Sequence, residues 1–248
     1  MRLFLHQLRA DQLVFWRNRE TAIFVYAFPV LLFLLLATVY TGDYRGHPLV
    51  DYLVASLIAY GVANTAFGGL AIMLVVRRES GILKRIRSTP LPASTYIVAA
   101  LASIVLVFIL QTATILVVGR TAHGAQLPGD WFSLALAIAL GAAAFCGLGL
   151  AAASLIRSAD GAAAVVNVII LPMTFLSGGF GPTRDYPEFL QAIADVLPLT
   201  YFVEIVVGIF IDGEALWTKP GPIAVLALWG LIGAAIAVRR FRWEPRLG

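Results

Sequence analysis

The sequence predicts an all-α membrane protein of six transmembrane helices. An interfacial helix precedes the first span, a short cytoplasmic helix follows the second, and a short outer re-entrant helical pair lies between the fifth and sixth. Three observations carry that prediction. Of 248 residues, 60% are hydrophobic and 13% charged, with a mean hydropathy of +0.88. Soluble domains run roughly 45–50% apolar and about 25% charged, so this chain has too few polar side chains to cover a globule in water. Six uncharged runs are each long enough to cross about 30 Å of hydrocarbon, which takes roughly 20 helical residues. Finally, 14 of the 18 Lys and Arg residues fall in alternate connections between those runs, the bias that orients a multi-span chain.

Residues 1–20 place Phe4, Leu5, Leu8, Phe15 and Trp16 on one helical face and Arg2, His6, Arg9 and Arg17 on another, the pattern of a helix lying in the membrane surface. The spans follow at 21–42, 52–76, 93–119, 131–156, 161–180 and 220–238. The apolar part of the first exceeds the h-region of a cleavable leader, about 7–15 residues, so it is expected to stay as a span. Arg45, Arg120, Arg184 and Lys219 are the four basic residues on the minority side. Both termini are therefore expected in the cytoplasm, with the chain in the plasma membrane. Six of the 14 acids, Asp185 to Glu214, lie between the fifth and sixth runs on the outer side. The basic balance reports topology rather than a nucleic-acid partner, because the basic residues are not interleaved with exposed aromatics.

Two connections have organisation of their own. Residues 77–90 read as one short helix in which Glu79, Ile82, Leu83 and Ile86 share a face among five basic residues, with Pro90 ending it. An apolar stripe facing cytosol wants a partner. Residues 184–214 hold two apolar stretches too short to cross, with Pro187 and Pro198 marking helix starts. A helical pair dipping into the outer leaflet keeps the backbone bonded at that depth. Gly178, Gly179 and Gly181 turn the chain out of the fifth span.

Catalytic constellations are absent from the sequence. A P-loop needs Lys followed by Ser or Thr after a glycine, but the two lysines follow Leu83 and Thr218. His6, His47 and His123 stand far apart, so no metal site is indicated. Cys146 reads as a small buried hydrophobe. No ionisable residue interrupts the six spans, which disfavours an ion-coupled transporter.

The segment Arg78-Glu79-Ser80-Gly81-Ile82-Leu83-Lys84-Arg85-Ile86-Arg87-Ser88-Thr89-Pro90-Leu91 resembles the motif after the second span of ABC-2 type transporter permeases. Leu171-Pro172-Met173-Thr174-Phe175-Leu176-Ser177-Gly178-Gly179-Phe180 resembles that family's end of the fifth span, and Leu197-Pro198-Leu199-Thr200-Tyr201-Phe202-Val203-Glu204 its outer segment. The likeness runs the length of the chain, with Phe28-Pro29 fitting in the first span. Ile82 stands where the family usually has Thr, and Val207 where it often has Arg.

The resemblance implies a single transmembrane domain over 1–248 that is no enzyme. It would work as a homodimer or heterodimer with two copies of an ABC ATP-binding subunit, which would hold ATP and Mg while this chain binds no cofactor. Arg78, Glu79, Gly81, Ile82, Leu83, Arg85 and Ile86 would couple to the ATPase. The second and fifth spans would line the dimer interface, offering Tyr60, Asn64, Thr65, Phe67, Asn167, Thr174, Phe175 and Ser177 to substrate. Close-packing candidates on those spans are Gly61, Gly68, Gly69, Gly161 and Ala162. The outer pair, with Glu204 and Tyr201, would form the exit gate. Such a lining suits export of a drug-like or lipid-like amphiphile better than of a polysaccharide or glycoconjugate. An ATP-independent channel or secondary transporter is the remaining alternative.

Overall fold

Where no water is available, backbone N–H and C=O groups must bond within their own segment, and the apolar runs accordingly fold as helices. The computed structural model describes residues 2–89, 91–184 and 186–241. Pro90, Asp185, Arg242 and Arg246 lie outside the described residues. The order is α1 (Arg2–Arg17), α2 (Arg19–Val39), a two-residue hairpin of β1 (Asp43–Tyr44) and β2 (His47–Pro48), α3 (Leu49–Ala63), a π-helical segment (Asn64–Gly69), α4 (Leu70–Glu79) and α5 (Ile82–Arg87). There follow α6 (Ala93–His123), α7 (Trp131–Leu155), α8 (Ala159–Leu176), α9 (Glu188–Ala194), α10 (Pro198–Ile211), a 3-10 turn (Leu216–Thr218) and α11 (Pro220–Arg240).

Among the described residues, five helices are long and apolar enough to cross a membrane: Leu49–Glu79, Ser94–His123, Trp131–Leu155, Ala159–Leu176 and Pro220–Arg240. The pair α9 and α10, bent by 88°, makes a sixth if counted as one broken span. The predicted first span is helical over Arg19–Val39, with Val25–Val39 as its apolar stretch.

The rod from Leu49 to Glu79 forms the centre, with α2, α6, α7, α8 and α10 packed around its length. Its helix runs beyond the uncharged stretch 52–76 at both ends. Asp51 is buried, accepting the Gln126 N–H at 2.8 Å. The largest helix contact is α7 on α11. There a Cβ on Gly233 would stand 2.6 Å from the backbone of Gly147, and one on Gly147 2.6 Å from the Gly230 carbonyl oxygen. Small residues thus let two backbones approach, as they do when apolar helices pack in lipid. Similarly, the Phe202 ring of α10 rests on Gly141.

One sequence expectation is corrected. The single helix over 77–90 is interrupted at Gly81, whose φ of 72° and ψ of 7° lie in the left-handed region. Glu79 therefore ends α4 and does not share a face with Ile82, Leu83 and Ile86. In α1, Gln7, Asp11 and Gln12 turn inward with Phe4, Leu8 and Phe15, while Leu5 and Trp16 are exposed. The buried Asp11 finds an arginine partner in Arg77.

Candidate functional site

The basic end of the rod carries three consecutive charged residues, each tied to a different neighbour. Arg77 pairs with Asp11 of α1 at 2.8 Å and donates to the Tyr96 hydroxyl of α6 at 2.8 Å. Asp11 also accepts from Gln7 at 3.0 Å, and Gln12 donates to the Ser103 carbonyl and hydroxyl at 2.9 and 2.8 Å. Arg78 is 1% exposed. Its Nη1 and Nη2 donate to the carbonyls of Ala153 and Ile156 at 2.7 and 2.6 Å, serving the C-terminal carbonyls that α7 cannot bond itself. The Glu79 carboxylate accepts the Ala159 N–H at 2.8 Å, at the start of α8. Hydrogen bonds to charged groups are worth about 1.5–3 kcal/mol each, so this junction is held firmly.

Beyond it, Ser80 and Gly81 turn the chain into α5. The Arg85 N–H bonds back to the Gly81 carbonyl at 3.1 Å, so the glycine begins the helix. On α5, Leu83 is buried and holds the helix to the body. Ile82 is 41% exposed, and Lys84 and Arg85 are exposed with it, while Ile86 is half-buried. Of the predicted coupling residues, Ile82 and Arg85 thus look outward, whereas Arg78 and Glu79 bind within the chain.

The predicted pathway residues do not converge on one surface. Tyr60 is buried with its ring edge-on to Phe180 at 5.1 Å, and Phe180 meets Phe175 at 4.8 Å. Two of the predicted residues are therefore joined through a third aromatic. Phe175 and Phe180 also wall a cleft of about 270 Å³ between α2 and α8, closed by Phe28, Leu32 and Tyr40 on the α2 side. Thr65 is buried, donating to Gln111 Oε1 at 3.3 Å, while the Gln111 amide donates to the Val25 carbonyl at 3.3 Å. Thr174 is buried and donates to the Ile170 carbonyl at 2.7 Å. Ser177 accepts from the Thr200 hydroxyl at 2.9 Å. Asn64 is half-buried at the head of the π segment, Phe67 is buried, and Asn167 is exposed on α8.

Two of the three expected close-packing glycines of the rod, Gly61 and Gly68, serve contacts inside the chain. A Cβ on Gly61 would meet the Gln111 amide at 3.1 Å, and one on Gly68 would meet Val166 of α8 at 2.8 Å. Gly69 is exposed, Gly161 lies beside Ser158, and Ala162 is buried. Most of α8 nevertheless remains uncovered, with Val168 at 74% exposure and Val165, Ile169 and Phe175 beside it.

At the opposite end, Gly178 takes a φ of 77°, and the Tyr52 hydroxyl donates to its carbonyl at 2.8 Å. Glu204, mid-way along α10, lies 3.8 Å from the Lys219 ammonium, which also pairs with Glu214 at 2.9 Å. Tyr201 donates to the Asp195 carbonyl at 2.6 Å. Arg45 pairs with Asp212 at 2.7 Å.

Sequence reasoning missed Asp11, Gln111 and Phe180. A carboxylate inside an otherwise amphipathic helix and an amide inside an apolar run each signal a buried partner. Phe180 stood at the end of the fifth-span motif, but the motif did not reveal that its ring lies between Tyr60 and Phe175.

Comparison with known proteins adds the family context. A family model described as ABC-2 type transporter matches residues 2–211. The chain is 28% identical over 61% of its length to YvfS of Bacillus subtilis (strain 168), whose name describes a transport permease. It is 25% identical over 71% of its length to the inner membrane transport permease YhhJ of Escherichia coli (strain K12). It is 24% identical over 73% of its length to YbhR of the same strain, whose name describes a multidrug ABC transporter permease. The matched region spans 62%, 46% and 50% of those three relatives.

Proposed function

The chain belongs to the ABC-2 type transporter family, and from that premise we propose that it is the permease subunit of an ATP-driven exporter. On this reading two permease chains, alike or related, work with two copies of a separate subunit that binds ATP and Mg. They carry a drug-like or lipid-like amphiphile out through the plasma membrane. α2, the Leu49–Glu79 rod, α6, α7, α8 and α11 cross with both termini in the cytoplasm. α1 lies in the interface, and α9 and α10 re-enter from outside.

The observation that carries the reading is α5. It hangs from the end of the central rod by a two-residue turn, anchored by Leu83 and presenting Ile82, Lys84 and Arg85 outward. On this reading Ile82 and the cations beside it meet a cleft of the ATP-binding subunit, as the resemblance of the Arg78–Leu91 segment implies. The exposed face of α8 is where a second permease chain would pack, with Asn167 and Phe175 at the seam. An amphiphilic cargo is supported by the aromatic line Tyr60–Phe180–Phe175 and the apolar cleft beside it. The multidrug designation of YbhR points the same way.

The test is co-expression with an ABC ATP-binding subunit, followed by transport into inside-out membrane vesicles. The subunit should copurify, and an amphiphilic dye should accumulate only with hydrolysable ATP. Dye flux through this chain alone, without nucleotide or subunit, would overturn the exporter reading in favour of a channel.

A further inference from the structure

We propose that Arg78 and Glu79 act as a positioning clamp that makes the turn between α7 and α8 move as one body with α5, rather than as contacts for another subunit. Arg78 holds the carbonyls of Ala153 and Ile156 at the end of α7, and Glu79 holds the N–H of Ala159 at the start of α8. Only Arg157 and Ser158 separate those two attachment points. Neighbouring residues on one helix thus grip both lips of one turn.

The charges have the right sense. A cation sits on the carbonyl end of one helix and an anion on the amide end of the next, each matching the dipole it meets. Ser80 and Gly81 are the whole link from Glu79 to α5, so Glu79 and Ile82 lie at most about 11 Å apart even when extended, which leaves little slack. Arg77 fastens the same rod end to α1 and α6. A displacement of α5 is thereby delivered to α8, the helix that carries Asn167 and Phe175. That ATP drives this displacement rests on the exporter reading; the clamp itself rests on the hydrogen bonds.

The experiment uses the full chain in lipid nanodiscs in a Cys146→Ala background, with spin labels at Ser88→Cys, at the C-terminal cap of α5, and Asp160→Cys on α8, both exposed positions. Pulsed electron resonance should give one narrow distance distribution. Glu79→Gln keeps an acceptor oxygen and should preserve it, while Glu79→Ala and Arg78→Ala should broaden and shift it. Hydrogen exchange gives a second measurement. Exchange of the Ala159 amide should rise about ten- to a hundredfold in Glu79→Ala, the range for losing a charged hydrogen bond.

Parental distances and exchange in Glu79→Ala would overturn the clamp, whatever becomes of transport. With the ATP-binding subunit added, a distribution that stays narrow through the nucleotide cycle supports the clamp, and one that splits in the parent overturns it. A chain that is clamped but shows no ATP-dependent transport would fail the exporter reading and leave the clamp standing.

Discussion

Gly81 sets the direction of α5, and its replacement isolates that direction from everything else. A Cβ placed there meets nothing within 4 Å, so no packing term intrudes. The whole cost is backbone: an ordinary L-residue at φ 72° gives up about 1–2 kcal/mol relative to glycine. That energy is enough to shift the ratio of the turned form to alternatives, such as a helix running straight from α4 into α5, by a factor of roughly 5–30. Asn tolerates the left-handed region, Ala tolerates it less, and β-branched Val least. Pro cannot enter it and also removes the Gly81 N–H that bonds the Arg78 carbonyl at 3.1 Å. Proteoliposomes holding the permease and an ATP-binding subunit should therefore show dye transported per ATP falling in the order Gly, Asn, Ala, Val, Pro. The thermal midpoint of the Ala variant should fall by only a few degrees, since 1 kcal/mol moves a chain of this size by about 2–4 °C. Equal coupling ratios for the Asn, Ala and Pro variants would refute the reasoning, since only the backbone distinguishes them.

Three further predictions concern other parts of the molecule. Gly233→Ala should destabilise by about 1–3 kcal/mol through overpacking against Gly147, whereas Gly221→Ala, with open space around it, should be neutral or gain a few tenths of a kcal/mol; equal thermal midpoints would refute this. Glu204→Gln removes the partner 3.8 Å from Lys219 while keeping shape, so export of cationic dyes should change with assembly normal, and unchanged export of cationic and neutral dyes alike would leave Glu204 a local role only. The Ser133 hydroxyl and backbone N–H, helped by Phe132, hold the Asp130 carboxyl below its ordinary range. The cap on α7 therefore contributes above about pH 4 and is lost as pH falls through the lowered folded value. Asp130→Asn still caps but cannot titrate, so its acid-side loss of thermal stability should be shallower than the parent's, and an identical slope would count against the cap.

The apolar elements were legible because hydropathy is a property of composition, which survives without knowledge of contacts. Their ends were not. The second span was read as 52–76 because Asp51 and Arg77 bound an uncharged run, yet the helix runs from Leu49 to Glu79. Each charge that seemed to end it meets a partner far away in sequence: Asp51 with Gln126, Arg77 with Asp11, Arg78 with Ala153 and Ile156, Glu79 with Ala159. A charge paired inside the protein costs far less than one left bare, and no local pattern reveals the pairing. For the same reason the motif holding Glu79 was legible while its role was not, since helical periodicity assumed a continuous helix through Gly81. The two helices α9 and α10 were readable from Pro187 and Pro198, which stand at the helix starts.

The π segment at Asn64–Gly69 gives the central rod one place where its residue count can change without loss of register. A π turn closes from residue i to i+5 rather than i+4, so it holds one residue more than the α-helix on either side for about the same rise and rotation. Deleting a single residue within Asn64–Gly69 would let the rod become α-helical throughout with everything downstream still in phase. A deletion elsewhere in the rod would turn the chain beyond it by about 100° and shorten it by about 1.5 Å. Arg77, Arg78 and Glu79 would then face away from α1, α7 and α8 although each was still present. A conventional alignment would score the two deletions alike, as one gap in an apolar stretch. In the folded chain only the second would detach the basic end from the rest of the bundle.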